Sequence, residues 1–396
     1  MLQKLTGVSH TNRPAIVAAM AIKADTSFSL ADQLFNAESV STLADAIATA
    51  WPEFDPEKFT RKSLASFPDL ELKQRINHMV DQLDEQLPAD FDPAVDLLES
   101  ALPAPLDPSL TDDDFGQFIW SVPAEWVAQN GCTDDRLDRS LAFLKQATMR
   151  FTVESAIRPF LNRFPESTLR FIRDCATDSN YHVRRLASEG IRPYLPWAQR
   201  VRLPIDSVVE VLTILHADRT RYVTRSVANT MNDLSRDDPE LVIKVLKRWH
   251  RSNTQVQDEL DWMTRHALRT LIKADNRQAL ELLGYPAEPK FTLSGVSASE
   301  TVAIGDALHW RGTLKSKTRQ KLKVGLRVHF LRANGDHSVK VFAVKEMDAT
   351  KESFLIENKI YINTITKPTQ YLGTHHVELV VNGKIRGKRA FELIES

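Results

Sequence analysis

Residues 181–197, YHVRRLASEGIRPYLPW, contain the pattern from which the fold of the chain can be inferred. Apolar side chains recur there at intervals of three and four residues, which predicts one amphipathic helix over residues 182–191. Gly190 and Pro193 mark the end of this helix, because glycine is frequent at helix C-termini and proline cannot continue a helix. Arginines and a single acid, Glu189, lie among the polar residues. The sequence therefore predicts a helix with one buried face and one charged face.

One arginine of this helix has counterparts farther along the chain. Arg185, Arg225 and Arg265 are separated by 40 residues each, and each follows an apolar residue two positions earlier. A period of about 40 residues is typical of HEAT-like repeats, in which each unit is a pair of helices. Stacked repeats bring equivalent positions side by side, so these arginines are expected to form a ladder on one surface. The alternative is that they belong to ordinary solvated helix faces.

An acid stands at a comparable position upstream of the arginines. Glu154 is followed by the same Ser/Leu-Ala type of pattern as Arg185, although the spacing of 31 residues requires a shorter repeat. In a groove that binds phosphate, an isolated acid is electrostatically unfavourable unless it serves a cation. The alternative is a helix salt bridge with Arg158, four residues later. We predict a helix over residues 151–164, with Pro159 kinking it or ending its regular part.

The net charge of −1 conceals a strong separation of charge along the chain. Residues 31–140 hold 7 Lys and Arg against 23 Asp and Glu, a net of −16. Residues 148–273 hold 21 against 15, a net of +6, and 18 of those 21 are Arg. Residues 290–396 hold 18 against 10, a net of +8. Because guanidinium groups make bidentate contacts with phosphate, the central segment predicts a basic surface for a polyanion.

Several classes of protein are disfavoured by composition. The 396 residues are enough for two or three domains. Cys132 and Cys175 are far apart and lack the spacing of metal ligands, which argues against disulfides and for a reducing compartment. No apolar run approaches the roughly 20 residues that span a bilayer. We therefore expect a cytoplasmic monomer that needs no metal, cofactor or membrane.

The helical pattern stops near residue 285, which predicts the domain organisation. We expect a flexible or short-helical N-terminus over residues 1–27 and a HEAT-like α-solenoid of stacked helix pairs over residues 28–285. Over residues 289–396, short alternating segments are separated by turn signals, among them Asn382-Gly383. About seven such segments predict a C-terminal immunoglobulin-like β-sandwich. The fold class is therefore mainly α.

Other polar and aromatic residues of the helical part have two interpretations. Glu125 is next to Trp126 in a helix that begins with proline, and burial there can raise the pKa of the carboxylate. Most aromatics in such a position belong to the core, however. Asn229 and Asp233 near the end of a helix are either caps or polar groups aimed at a bound backbone.

Four strings carry a resemblance to a known family: FTVESAIRPFL, HVRRLASEGIRPYLPW, RSVANTMNDLS and MTRHALRTLIK. They resemble AlkC-type DNA glycosylases of the HEAT-like AlkC/AlkD superfamily, over residues 30–285. The β domain resembles the immunoglobulin-like extension of one AlkC subgroup. The resemblance implies a monofunctional enzyme that excises 3-methyladenine and 3-methylcytosine from double-stranded DNA. It also implies that the base is not flipped into a deep pocket and that an abasic site is left.

This implied reaction needs particular side chains. Methylation at N3 makes the base cationic and weakens the glycosidic bond, so the enzyme has no need to protonate the leaving group. It must stabilise the oxocarbenium charge that develops on the sugar and position a water, which carboxylates do in glycoside hydrolysis. Aromatic faces add cation–π stabilisation. The candidate catalytic carboxylates are Glu154, Glu125 and Asp233, and Glu189 is a further possibility. The candidate groups that contact DNA or the lesion are Trp126, Trp197, Arg184, Arg185, Arg192, Arg225, Asn229, Arg265, His266 and Arg269.

Two other functions fit the same pattern. Most HEAT arrays are non-catalytic scaffolds, so a protein- or DNA-binding role without chemistry is the main alternative. A repair accessory that recognises damage without breaking a bond is the second. The basic β domain, with its His375-His376 segment, is either a passive appendage or a second grip on DNA.

Overall fold

The computed structural model describes residues 29–112, 115–362 and 370–395. The prediction for residues 1–27 lies outside these ranges. The described chain begins as an array of helices and ends as two β-sheets, which confirms the predicted fold class. The helices are α1 (Leu30–Leu34), α2 (Ala37–Ala50), α3 (Pro56–Ser66), α4 (Leu72–Asp84), α5 (Phe91–Ser100), α6 (Ser121–Gly131), α7 (Leu137–Thr148), α8 (Arg158–Arg163), α9 (Pro165–Cys175), α10 (Tyr181–Glu189), α11 (Ile205–Leu215), α12 (Arg221–Leu234), α13 (Pro239–Ser252), α14 (Gln257–Ala267), α15 (Arg269–Lys273) and α16 (Arg277–Leu282).

Helix α10 is formed by the stretch that predicted the fold. The Asn180 side chain caps it by accepting a hydrogen bond of 2.8 Å from the backbone N–H of His182. The helix ends at Glu189, so the predicted end at residue 191 is slightly too late. Its apolar side packs on α12, where the Ser188 hydroxyl donates to Ser226 Oγ at 2.7 Å. The two helices that carry Arg185 and Arg225 are therefore direct neighbours, as the repeat predicts.

The predicted helix over residues 151–164 is wrong at its N-terminal half. Residues 154–157 form turns, and α8 begins only at Arg158, with Pro159 in its first turn. Proline is favoured there because its missing N–H has no helical partner in any case. Glu154 therefore lies on a turn rather than on a helix. The direction of the Glu154 side chain is therefore not set by the geometry of a helix.

Successive repeats are joined by ion pairs that the sequence analysis did not predict. Asp178 and Asp218, 40 residues apart, each accept a backbone N–H two residues later at 2.8 Å, which shapes the turn before α10 and the turn before α12. Lys145 pairs with Asp178 at 2.7 Å, and Arg184 binds both carboxylate oxygens of Asp218. In both cases, a Lys or Arg of one repeat forms an ion pair with the Asp in the turn of the next repeat. Phosphate binding by Arg184 stays a prediction and would compete with Asp218 and two backbone carbonyls, which accept hydrogen bonds from its guanidinium.

The chain divides into two compact units, and this division does not coincide with the point where helices give way to strands. One unit comprises the described residues up to Leu234 together with Asn253–Val256, and the other comprises Ser235–Ser252 and the described residues from Gln257 onward. In the second unit α13–α16 pack in the same body as the strands. The predicted boundary near residue 285 therefore marks where helices give way to strands but not where one compact body ends.

The strands form two sheets around one apolar core, as an immunoglobulin-like sandwich requires. The strands are β1 (Phe291–Ala298), β2 (Thr301–Ala303), β3 (Ala307–Ser316), β4 (Gln320–Leu331), β5 (His337–Ala349), β6 (Ser353–Tyr361), β7 (Gly373–Val381) and β8 (Lys384–Ile394). The sheet orders are β1-β3-β6 and β2-β8-β7-β4-β5. Asn382 and Gly383 have φ of 47° and 77°, which fits the predicted hairpin turn between β7 and β8.

His375 does not belong to a DNA-binding surface. Its ring is fully buried, stacks on Phe391 with centroids 5.2 Å apart, and accepts the backbone N–H of Leu331 at 3.3 Å. Burial lowers the pKa of His375 below its usual value. Because alternate residues of a strand face opposite sides, His376 faces away from this core. The suggested DNA contact of the His375-His376 segment is therefore wrong for His375.

The β-sandwich is fastened to the last helices of its own unit by a buried carboxylate. Asp275, two residues after the end of α15, pairs with Lys323 at 2.5 Å and with Arg327 at 3.4 Å. The side chain of Asn382 donates to the Pro286 carbonyl at 3.0 Å. Removing the β domain would take both cations away from Asp275 and uncover the surface on which the sandwich packs. The sandwich is therefore part of what stabilises α14–α16.

Candidate active site in the helical repeats

A line of alternating charges extends from the core toward the surface. Its members, from inside outward, are Asp233, Arg192, Glu189, Arg185 and Glu154, and we call these five residues the charge chain. The successive N–O distances are 3.0, 2.5, 3.9 and 3.3 Å. Side-chain exposure is 2% at Asp233 and 19% at Glu154. The structure thus brings together three predicted carboxylates and two predicted arginines.

The inner part of the charge chain is structural. Burial disfavours an ionised Glu189, but Arg185 and Arg192 outweigh this effect and hold its pKa below the usual value. Burial likewise opposes the charge of Arg192, but Glu189 and Asp233 raise its pKa. Glu189 and Arg192 are therefore both charged at neutral pH. The predicted contacts of Arg192 with phosphate and of Asp233 with substrate are wrong, because each is buried against the other.

Glu154 is the member of the charge chain that reaches solvent. The Thr152 hydroxyl donates to Glu154 Oε2 and accepts from Arg185 Nη1, so it bridges the two charged groups. Arg185 also contacts Oε2 directly at 3.3 Å. Since Arg185 is shared with Glu189, the negative charge of Glu154 is incompletely compensated. This geometry fixes the direction of a carboxylate without neutralising it.

A group of aromatic rings lies behind Arg185. Arg185 Cζ is 4.5 Å from the centroid of the Tyr222 ring, which is itself buried. The His182 ring is 4.0 Å from that of Tyr181 and 5.6 Å from that of Tyr222. Burial and the positive charge of Arg185 lower the pKa of His182 to about 4. The imidazole is therefore neutral at physiological pH and acts as part of the aromatic packing.

This histidine predicts a pH dependence of folding. Between the ordinary pKa of 6.5 and the folded value of about 4, the unfolded chain binds a proton that the folded chain does not. The contribution of the neutral His182 to the free energy of unfolding is therefore complete above pH 6.5 and is lost as the pH falls toward 4. Lowering the pH from 7 to 5 should cost about 2 kcal/mol through His182. Urea unfolding at both pH values measures this change.

Two substitutions separate this effect from general acid sensitivity. His182→Phe retains a ring but removes the titrating group, so its loss of stability between pH 7 and 5 should be smaller than that of the wild type. His309 is exposed on β3, and His309→Gln should reproduce the wild-type change. Equal pH dependence in wild type and His182→Phe would refute the assignment.

Trp197 is presented to solvent by a loop that α8 anchors. Its side chain is 66% exposed, and its φ of 59° is in the left-handed region, which is unfavourable for a bulky residue and is often found at functional sites. Arg158 donates to the carbonyls of Gly190, Arg192 and Gln199. The predicted Glu154–Arg158 salt bridge is therefore absent, because carbonyls of the α10 C-terminus and the following loop occupy this guanidinium.

Hydrogen bonds from Arg158 and Asn162 of α8 hold the Trp197 loop in its conformation. The Arg158 side chain is fully buried, and burial, followed by the charge of Arg192, lowers its pKa to about 10. Asn162, also on α8, donates to the Arg200 carbonyl at 3.0 Å. Helix α8 therefore links Glu154 to the Trp197 loop. Glu154 lies in the turn that precedes α8, and the side chains of Arg158 and Asn162 on α8 hold the loop.

The other tryptophan and the remaining carboxylate are not part of this group. Trp126 is buried on α6, stacks on Phe91 at 5.9 Å and donates through Nε1 to Asp84 at 3.1 Å, so its prediction as a lesion contact is wrong. Burial raises the pKa of Glu125, with Lys73 acting in the opposite direction. Within the described residues, no ion pair joins Glu125 to the charge chain. Its catalytic role stays a prediction.

The second arginine of the predicted ladder is paired within its own unit. Arg225 on α12 forms an ion pair with Asp112, a residue of the loop before α6. Asn229 lies one turn later on the same helix and is half-buried. Phosphate binding by Arg225 would therefore compete with Asp112.

The third arginine lies in the second unit. Arg265 pairs with Glu346 of β5 at 2.5 Å, and the Tyr285 hydroxyl donates to the same carboxylate at 2.8 Å. His266 stacks on Trp262 with centroids 5.1 Å apart, and Arg269 donates to the His266 carbonyl at 2.7 Å. Contacts with DNA by these residues stay a prediction. Each of the three ladder arginines is thus paired with a carboxylate.

Sequence reasoning missed Thr152, Tyr222 and the role of Arg158. Tyr222 lies 40 residues after His182, so the repeat itself places the two at equivalent positions, and this spacing could have indicated it. Nothing local to Thr152 distinguishes it from other threonines. No described helix is long and apolar enough to cross a membrane. Nor does the described chain bring three or more His, Cys, Asp or Glu side chains together as a set of metal ligands.

Comparison with known structures identifies the family. The Pseudomonas fluorescens alkylpurine DNA glycosylase AlkC, bound to DNA containing an abasic site analog, superimposes with a TM-score of 0.76. The two sequences are 31% identical, and the match covers 93% of this chain and 100% of that one. The chain belongs to the AlkC family of DNA glycosylases.

Two further matches cover the β domain of this AlkC-family chain. Protein YhaZ of Bacillus subtilis (strain 168) is 29% identical over 367 residues, which are 91% of this chain and 98% of YhaZ. Residues 293–395 match the family model described as "Uncharacterised protein YhaZ, C-terminal Ig-like domain". The immunoglobulin-like domain predicted from the sequence is thereby confirmed. The sequence match with YhaZ therefore extends over both the helical part and the sandwich of this chain.

Proposed function

We propose that this protein is a DNA repair glycosylase that hydrolyses the N-glycosidic bond of cationic N3-methylated bases in duplex DNA. The substrates would be 3-methyladenine and 3-methylcytosine, and the product an abasic site. Membership of the AlkC family supports a glycosylase, and the Pseudomonas fluorescens relative binds DNA containing an abasic site analog. The observation that carries the proposal is the partly exposed Glu154, oriented by Thr152 and Arg185.

The proposed chemistry follows from the charge of Glu154. As the glycosidic bond lengthens, positive charge develops at C1′ of the sugar, and a fixed carboxylate stabilises this charge without having to reorganise. The same oxygen atoms can accept a hydrogen bond from the attacking water. The base already carries a positive charge, so no acid is required to protonate it. The bond between C1′ and the base nitrogen breaks with its electron pair on the base. Water forms the new C1′–O bond, and the proton it loses passes through the Glu154 carboxylate to solvent.

The proposed mode of recognition does not need a deep pocket. Trp197 is exposed on an anchored loop and offers an aromatic face to a cationic base or to the sugar beside it. Conventional base flipping costs a few kcal/mol of unstacking, which is smaller for a damaged base. Reading a cationic base without swinging it out would avoid much of this cost.

A base-release assay tests the proposal. Purified protein is mixed with duplex DNA treated with a methylating agent, and released bases are separated and identified. We expect free 3-methyladenine and 3-methylcytosine, with an abasic site in the DNA and no strand cleavage by the protein. Intact methylated DNA after prolonged incubation with excess protein would refute it. The same assay excludes a repair accessory that binds damage without chemistry.

The alternative is a HEAT-repeat scaffold that binds DNA or protein without catalysis. The pairing of Arg225 with Asp112 and of Arg265 with Glu346 favours the protein-binding form of this alternative, because those guanidinium groups already have anionic partners that compete with phosphate. A non-catalytic DNA scaffold would bind duplex DNA in a salt-dependent manner but release no base. A protein scaffold would show neither property.

A further inference from the structure

Tyr222 is a buried aromatic residue on α12 that the proposed chemistry does not use. Three rings surround it nearly edge-on: Phe115, Tyr181 and His182, at centroid distances of 5.2, 5.8 and 5.6 Å and interplanar angles of 79°, 81° and 69°. Edge-to-face contacts of this kind are favourable and fix ring orientation. The plane of the Tyr222 ring is therefore set by its neighbours.

The face of this ring supports the guanidinium of Arg185. Arg185 Cζ lies 4.5 Å from the ring centroid, within the range of a cation–π contact. In the described chain the Tyr222 hydroxyl has no hydrogen-bond partner, although it is buried. What Tyr222 supplies to Arg185 is thus the face of its ring and not a hydrogen bond.

Arg185 has two carboxylates within reach, so its direction matters. Its Nη1 is 3.3 Å from Glu154, and its Nη2 is 3.9 Å from Glu189, which is deeper and already paired with Arg192. A guanidinium that could rotate freely would alternate between these carboxylates. Glu154 would then lose the contact that fixes its direction. A planar support beneath the guanidinium removes this freedom.

We propose that Tyr222 is a positioning residue for base excision, whose ring holds Arg185 turned toward Glu154. This rests on the proposed function, because the benefit is a correctly directed carboxylate. The loop before α6 contributes to the support. The Tyr222 backbone N–H donates to the Thr111 carbonyl at 3.2 Å, and Phe115 of the same loop packs on the ring.

The kinetic experiment compares Tyr222→Leu with Tyr222→Phe in single-turnover release of 3-methyladenine. Tyr222→Leu removes the ring face and should lower the rate at least tenfold, with affinity for DNA containing an abasic site analog unchanged. Tyr222→Phe keeps the ring and should restore the rate to within about threefold of wild type. Equal rates for the Leu and Phe variants would overturn the proposal, since the ring would then be irrelevant.

A double-mutant cycle separates positioning from general destabilisation. If Tyr222 acts through Glu154, adding Tyr222→Leu to Glu154→Gln should lower the rate no further. A second tenfold loss in that background would show that Tyr222 acts by another route. Should Tyr222→Leu fail to fold, Phe115→Leu loosens the support while keeping Tyr222, and the same cycle applies to it.

An experiment that does not depend on activity tests the physical contact itself. Nitrogen-15 NMR of the Arg185 side chain should show slow rotation of the guanidinium in wild type and Tyr222→Phe, and fast rotation in Tyr222→Leu. Fast rotation in the wild type would overturn the positioning role even if base release occurs. Slow rotation together with no base release would refute the proposed function while leaving the contact established.

Discussion

Glu154→Gln is expected to lower the single-turnover rate of 3-methyladenine release by about 100-fold, because loss of one preorganised electrostatic group commonly costs 100- to 1,000-fold. Glutamine keeps the size and one oxygen acceptor of the side chain but removes the charge that would face the sugar cation. The exposed part of Glu154 is small, and its partners Thr152 and Arg185 remain in place. Release of free base from methylated duplex DNA, with protein in excess, measures the rate.

Two variants control for this result. Glu166→Gln removes an exposed carboxylate at the start of α9 and should leave the rate unchanged. Glu125→Gln tests the other carboxylate predicted from the sequence. Affinity for DNA containing an abasic site analog should be similar in all three variants. Wild-type rates for both Glu154→Gln and Glu125→Gln would remove the carboxylate proposal altogether.

Arg192→Ala is expected to cost about 3–5 kcal/mol in free energy of unfolding, the usual consequence of removing one partner from a buried ion pair. The substitution leaves Asp233 and Glu189 in the core without this cation. Neither carboxylate has enough exposure to be rescued by water. Urea unfolding at pH 7 measures the loss.

The pH dependence of this loss provides a check on its cause. Arg192 helps to hold the pKa of Glu189 below its usual value, so the stability that it confers is present at neutral pH and is lost as Glu189 becomes protonated in acid. The difference between wild type and Arg192→Ala should therefore shrink at low pH. Arg170→Ala, at an exposed site on α9, should change the stability by less than about 0.5 kcal/mol. A loss independent of pH would point to lost packing instead of lost charge.

Much of the architecture follows from local patterns in the sequence. The apolar spacing in residues 181–197 predicts α10 to within about two residues, and the interval of 40 residues predicts that α10 and α12 are neighbours. The alternating segments and the Asn382-Gly383 turn predict the sandwich. These signals are strong because helix and strand periodicity depends on residues close together in the chain.

The candidate site could be predicted only in part, because its contacts join residues that are far apart in the chain. Glu154 was selected because an acid among arginines is unusual, and the structure places it against Arg185. Residue type also selected Trp126, as an aromatic face, and Arg184, as a phosphate contact, but Trp126 belongs to the core and Arg184 pairs with Asp218 of the next repeat. Charge and residue type do not reveal which surface a side chain faces. A pattern of arginines is therefore compatible with a DNA-binding ladder and with a set of internal ion pairs.

The sequence by itself determined that this protein is an array of helix pairs followed by a β-sandwich, with arginine concentrated in the central repeats. Only the tertiary structure decided which of those arginines carry structural ion pairs and that Glu154 is left at the solvent end of the charge chain. The physical reason is distance along the chain. The periodicity of helices and strands is visible within a few consecutive residues. By contrast, Arg185 contacts Glu154 across 31 residues, and Arg225 contacts Asp112 across 113.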